Sequence, residues 1–162
     1  MNLARMLAAL ALAAASGLAA AQAFPDRTIK IVIPYAPGGG TDNLVRTILP
    51  SLNSALGQPV VIENRPGAGT LVGAEQVAKS PPDGHTLLIS TSSTFGISPA
   101  LYKPSPIDPL RDFQPVSLVG TVNFFLIASH AFPAKSFREM VELVKANPGK
   151  FNYASVGNGS AH

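Results

Sequence analysis

Three segments concentrate small, flexible, hydrogen-bonding residues: Pro37-Gly38-Gly39-Gly40-Thr41-Asp42, Ser90-Thr91-Ser92-Ser93-Thr94 and Ser155 to Ser160. Glycine lets a backbone come close to a ligand because no side chain intervenes. The N–H groups at a helix start, with the helix dipole, attract an anion. Residues of this kind suit a carboxylate or phosphate clamp built mostly from backbone. The bland alternatives are plain turns for the glycines and helix caps for Ser and Thr. Asp42 is the one acid in these segments, and no Arg or Lys lies in them. Three roles are open to it: helix N-cap, support for the glycine loop, or acceptor for an ammonium-bearing ligand.

Other chemistries find little to work with. The 162 residues contain no Cys, which excludes a disulfide framework, a thiolate metal site, an iron–sulfur cluster, a cysteine nucleophile and a lipid-bearing Cys. The nucleotide motifs G-x-x-x-x-G-K-[ST] and G-x-G-x-x-G and the hydrolase motif G-x-S-x-G do not occur. His85, His130 and His162 pair with no acid at a catalytic or metal-ligand spacing. The formal charge of +3 is spread without clusters, and charged residues make up only 13%, so nucleic acid is not an expected partner.

The elements that must carry the three segments follow from periodicity. Residues Met1 to Ala23 read as a secretory leader: Arg5, then an apolar run from Met6, then the small-residue site Ala21-Gln22-Ala23. Cleavage is expected after Ala23, with export to the periplasm. Ile29 to Ile33 reads as a strand. Thr41 or Asp42 is placed to cap a helix whose apolar stripe is Leu44, Val45, Ile48, Leu52 and Leu56. Pro50 predicts a kink or break there, and Gly57 predicts its end. Val60 to Ile62 is a second strand, Asn64 to Gly69 a turn, Leu71 to Lys79 a helix, and Thr86 to Ser90 a third strand. This alternation predicts βαβ units, a parallel sheet, and ligands beyond the strands' carboxyl ends. The Pro-rich stretch Pro99 to Pro115 reads as a crossing segment. Val116 to Val119, Phe124 to Ala128 and Phe151 to Ala154 read as further strands. Ser136 is expected to cap a helix with Phe137, Met140, Val141 and Val144 on one face.

Longer motifs carry a resemblance. Phe24-Pro25-Asp26-Arg27-Thr28-Ile29, then Ile33-Pro34-Tyr35-Ala36-Pro37-Gly38-Gly39-Gly40-Thr41-Asp42, then Leu56 to Gly69 with its Glu63-Asn64-Arg65-Pro66-Gly67-Ala68-Gly69 end, are the specific ones. Pro81-Pro82-Asp83-Gly84-His85-Thr86, Asp108-Pro109-Leu110-Arg111-Asp112-Phe113 and Asn152-Tyr153-Ala154-Ser155 follow. With these motifs the chain resembles the Bug-type periplasmic solute receptors of tripartite tricarboxylate transporters. His85 stands where such receptors often carry Tyr.

The resemblance implies an α/β fold of the periplasmic-binding-protein (Venus-flytrap) type with parallel sheets. It divides the chain into a leader at 1–23, a first α/β lobe at 24–115 and the start of a second lobe at 116–162. Receptors of this kind are roughly twice this length, with each lobe a domain of ordinary size, so the chain corresponds to an N-terminal half ending inside the second lobe. Whether that reflects a fragment or a truncated gene stays open. The implied function is capture of a small carboxylate and its delivery to membrane transporter subunits or a sensor, with no cofactor, no metal and no catalysis, by a monomer when complete. The implied ligand-binding residues are Tyr35, Ala36, Gly38, Gly39, Gly40, Thr41, Asp42, Ser90, Thr91, Ser92, Ser155, Asn158, Gly159 and Ser160. The first loop and the Gly157 to Ser160 loop are expected to face each other across the cleft. The rival readings are a secreted α/β hydrolase or transferase, and a non-functional remnant.

Overall fold

A computed structural model of the chain describes residues 24–155, 158 and 159. The leader, its cleavage site, Gly157 and Ser160 lie outside the described residues. Strand β1 (Ile29–Ile33) is followed by helix α1 (Gly40–Leu56), strand β2 (Val60–Asn64), helix α2 (Leu71–Ala78) and strand β3 (Thr86–Leu88). Helix α3 (Ser98–Leu101) and helix α4 (Phe137–Ala146) are the remaining α-helices among the described residues, with a 3-10 turn at Ala68–Thr70 and a π-helical turn at Ser93–Ile97.

The strands form a parallel sheet in the order β2-β1-β3. Ile33 at the end of β1 stands beside Asn64 at the end of β2. The chain leaves β1 for one flank and returns to the other, so the strand order reverses at β1. In an open α/β sheet such a reversal opens a crevice at the carboxyl ends of the central strand and its neighbour.

The apolar run of β1 is explained by its central position, which buries both of its faces. Ile29, Ile31 and Ile33 pack with Val45 of α1 and Val60 of β2, with Leu49, Leu52 and Leu56 around them. On the other side Leu71 and Ala74 of α2 pack with Ile107, bordered by Leu88, Tyr102 and Phe113. Of the helical stripe read from the sequence, Val45, Leu52 and Leu56 face the sheet, together with Leu49, while Leu44 lies against Gly120.

Several expectations are corrected. Helix α1 runs unbroken through Pro50. The ring sits on the exposed side, where water can satisfy the carbonyl that loses its N–H partner. The N-cap of α1 is Gly39, not Thr41 or Asp42, with Asp42 in the first turn. The Pro-rich crossing segment begins as helix: Pro99 to Leu101 belong to α3, which is entered from a π-helical turn over Ser93–Ile97. Pro99 fits there because the first turn of a helix needs no N–H donor. Residues 116–119, 124–128 and 151–154 form no strands. Among the described residues the only sheet is β2-β1-β3 and these β-prone segments do not join it; a strand without ladder bonds is not stable. Helix α4 is as expected, with Ser136 Oγ accepting the Glu139 N–H at 3.2 Å and Asn147 at its end.

Candidate functional site

The carboxyl end of the sheet gathers the segments after β1, β2 and β3. The glycine loop follows β1 and runs straight into α1. Gly38 has φ +84°, a conformation that disfavours any side chain, and a Cβ there would meet nothing within 4 Å. Gly39 has φ −75° and ψ 171°, ordinary extended backbone. A Cβ on Gly39 would touch only the Ala36 carbonyl, at 3.7 Å. The fold thus requires glycine at 38, whereas at 39 it leaves an exposed backbone with free space above it. Helix geometry leaves the N–H groups of Gly40, Thr41 and Asp42 without intrahelical acceptors.

Asp42 holds this loop from beneath. It is 1% exposed. Its Oδ2 accepts the Gly38 N–H at 2.8 Å and Arg46 Nε at 2.8 Å, while its Oδ1 accepts Arg46 Nη2 at 3.1 Å and Asn64 Nδ2 at 3.1 Å. Both oxygens are engaged, so the carboxylate is not presented to an ammonium group of a ligand. The Arg46 guanidinium, then the Gly38 N–H and Asn64, bring its pKa down to about 2 against the opposing effect of burial. Asn64 Nδ2 also donates to the Tyr35 carbonyl at 3.1 Å, tying the end of β2 to the exit of β1. Asn43 Nδ2 closes the loop onto the Gly38 carbonyl at 3.2 Å.

On the β3 side, hydroxyls form a connected chain. Tyr35 Oη and Thr91 Oγ1 lie 2.7 Å apart, joining the β1 and β3 exits at the point where the strand order reverses. Ser90 Oγ bonds Thr94 Oγ1, which donates to Thr70 Oγ1 at 2.7 Å. Thr94 and Thr70 are buried. Thr70 has φ +85° and follows Ala68 at φ +44°, two non-glycine residues in the left-handed region. Strain of this sort clusters at ligand clamps and switch regions. A Cβ on Gly69, at φ +59°, would lie 2.7 Å from the Tyr102 ring and 2.9 Å from the Asn158 carbonyl, so this turn is pressed against its neighbours.

The structure brings Tyr35, Ser90 and Thr91 together and sets Gly38, Gly39, Gly40 and Thr41 on the adjoining helix start. Ala36 and Ser92 are exposed beside them, and Ser155 is exposed on the later segment. Asn158 and Gly159 sit on the Gly69 turn and α3: Tyr102 Oη donates to the Asn158 carbonyl at 3.1 Å, and Ser98 Oγ to the Gly159 carbonyl at 3.2 Å. His85 lies at the opposite end of the sheet, 3.0 Å from Asp26 Oδ1 and 3.3 Å from Asp83 Oδ1, remote from every serine of the crevice.

Sequence reasoning missed Arg46, Thr70, Ser98 and Tyr102, took Asn64 only as a turn residue, and held Thr94 only as part of the Ser90–Thr94 segment. The spacing of Arg46 four residues beyond Asp42 was the one local signal, since such pairs share a helix face. Among the described residues no group of acids and histidines is arranged to hold a metal ion.

Comparison with known proteins now bears on this crevice. Residues 44–162 match the tripartite tricarboxylate transporter family receptor. A UPF0065 protein of Bordetella pertussis is 42% identical over 99% of this chain and 50% of its own length. The periplasmic binding protein BugD superposes with a TM-score of 0.74 at 36% identity, over 85% of this chain and 46% of that one. MatC from Rhodopseudomonas palustris, solved with bound malate, superposes with a TM-score of 0.71 at 40% identity, over 76% of this chain and 42% of that one. The chain spans about half the length of the curated relatives it matches.

Proposed function

The chain belongs to the tripartite tricarboxylate transporter family of receptors, and on that premise we propose that it captures a small organic acid in the periplasm by its carboxylate. The acid is then handed to membrane transporter subunits or a sensor, unchanged. Residues 24–115 supply the first lobe and 116–162 the beginning of the second. The ligand carboxylate takes N–H bonds from Gly39, Gly40 and Thr41 at the start of α1. Tyr35, Ala36, Ser90, Thr91 and Ser92 line the other side of the crevice, and Ser155, Asn158 and Gly159 supply further contacts, with Ser160, outside the described residues, as the last expected one. Gly38 and Asp42 shape the loop rather than touch the ligand.

The observation that carries this reading is the open helix start beside the Tyr35–Thr91 contact, where the strand order reverses. MatC, solved with malate, supports the ligand class. Charge-assisted bonds from backbone donors contribute about 1.5–3 kcal/mol each. Micromolar affinity needs about 8 kcal/mol in all, so a few such bonds suffice after the cost of immobilising the ligand. Among the described residues no helix is long and apolar enough to cross a membrane. Export with cleavage after Ala23 completes the proposal.

Thermal-shift titration with matched pairs, malate against its diamide, tests the reading. The acid raises the melting temperature and the amide does not. Equal stabilisation by both, or by neither, overturns it.

A further inference from the structure

Asp42 poses a problem for any anion clamp at this helix start. It places a buried negative charge in the first turn, where the N–H groups and the dipole would otherwise attract an anion. An uncompensated carboxylate within a helical turn of a bound acid would repel it, and the low-dielectric surroundings would strengthen that repulsion. Yet the same carboxylate is the acceptor that fastens Gly38.

We propose that Arg46, seated on Asp42 and braced by Asn64, is a positioning and charge-cancelling residue that makes the glycine loop selective for a carboxylate. The juxtaposition carries the inference. Arg46 gives two bonds to the Asp42 carboxylate, through Nε at 2.8 Å and Nη2 at 3.1 Å. Its side chain is half exposed and that of Asp42 is 2% exposed, so the arginine closes the solvent side of a carboxylate otherwise enclosed by Gly38 and Asn64. Asn64 touches three parts of the assembly: Asp42 Oδ1, the Tyr35 carbonyl at the exit of β1, and, at 3.5 Å, Arg46 Nη2. Its amide donors are satisfied by this arrangement, which holds the pair in register with the sheet. A planar fork that meets both carboxylate oxygens is geometry that guanidinium provides and ammonium does not. The Asp42–Arg46 pair is neutral as a unit, so the ligand sees the backbone donors and the helix dipole. The two side chains are one turn apart on α1, and neither touches the ligand in the arrangement proposed above.

This rests on the proposed function, and the test separates the two. The full chain and its variants R46Q, D42N and D42N/R46Q are titrated with malate and with its diamide by calorimetry, and exchange of the Gly38 amide is followed by NMR. R46Q leaves the carboxylate unpaired, and it weakens malate binding by about tenfold or more, the scale of one uncompensated nearby charge. D42N leaves the arginine charge in place, and malate binds at least as tightly as in the wild type. D42N/R46Q removes both charges while keeping an oxygen acceptor for Gly38, and binding returns to within about threefold of the wild type. Gly38 exchange quickens in R46Q and returns toward the wild-type rate in the double variant.

A merely structural pair would behave differently: D42N and R46Q would both lose affinity, and the double variant would be the weakest. That pattern, or unchanged malate affinity in R46Q, overturns the inference. If the wild type binds neither acid nor amide, the proposed function fails. Gly38 exchange then still decides the support role, and an unchanged rate in R46Q overturns it.

Discussion

Residues 24–113 and 114–155 share a taste for β-branched and aromatic residues and part company in burial. The first region contains the sheet, and Ile29, Ile31, Val32, Ile33, Val45 and Val60 are all within it and buried. The second contains no buried residue among those described. Val116 is 83% exposed, Phe125 83% and Ile127 87%. Helix α4 in that region has its apolar face and a well-formed cap and still buries nothing. An apolar pattern is therefore permission to form a core, not a core. Parallel register with two neighbours makes Ile31 an interior residue; Ile127 has the same chemistry, belongs to no strand of this sheet and stays 87% exposed.

Truncating one residue from each region sharpens this contrast most. Ile31→Ala removes a fully enclosed side chain and lowers stability by about 2–5 kcal/mol. Ile127→Ala, at 87% exposure, changes it by less than about 0.5 kcal/mol. Urea unfolding followed by far-UV circular dichroism measures both, and comparable losses would erase the distinction.

Acid should strike the sheet region next. Asp42 is held at about 2, first by Arg46, and Glu63 at about 2, first by Lys30 and then Arg65. Both values lie below the ordinary ones of 3.8 and 4.5. Depressed carboxyl groups stabilise fully above their unfolded values and lose that contribution as pH falls through their folded ones. Stability should decline as pH drops from 4.5 toward 2, and D42N combined with E63Q should flatten the decline. Melting temperatures across that range check the slope. An unchanged slope in the double variant would place the acid sensitivity elsewhere.

The smallest effect belongs to the second region. Ser136 accepts the Glu139 N–H, while Glu139 accepts the Ser136 hydroxyl and the Lys135 N–H. Ser136→Ala removes this cap and costs about 1 kcal/mol of helix stability. Because α4 buries nothing, the loss should appear as fraying of α4 in residue-resolved amide exchange and leave β1 amides unaffected. Faster exchange in β1 would show that the two regions are coupled.

How much of this was legible beforehand follows from the range of the signals. The strands of the sheet and helices α1, α2 and α4 announced themselves through short-range periodicity, and a parallel sheet followed from their alternation. The three loops were found by composition. What composition could not show is which glycine the backbone requires: Gly38 rather than Gly39 carries the positive φ. Asp42 is legible as special, and of the three roles open to it the structure selects support for the glycine loop; its tie to Asn64, 22 residues along the chain, is beyond any local pattern. The Thr70–Thr94 bond joins residues 24 apart through the packing of α2 and β3, beyond any local pattern. Residues 116–119 and 124–128 differ in the opposite direction, with a strong local signal and no strand formed.

In the proposed function, backbone donors at the start of α1, beside the Tyr35–Thr91 contact, read the carboxylate. The most direct measurement is mapping of backbone amide shifts in the 15N-labelled chain titrated with malate. Saturable shifts of the Gly39, Gly40 and Thr41 amides, with Thr91 moving in step and the malate diamide producing none, are the predicted result. Malate shifts confined to other residues, such as those around His85 at the far end of the sheet, or equal shifts with the diamide, would contradict it.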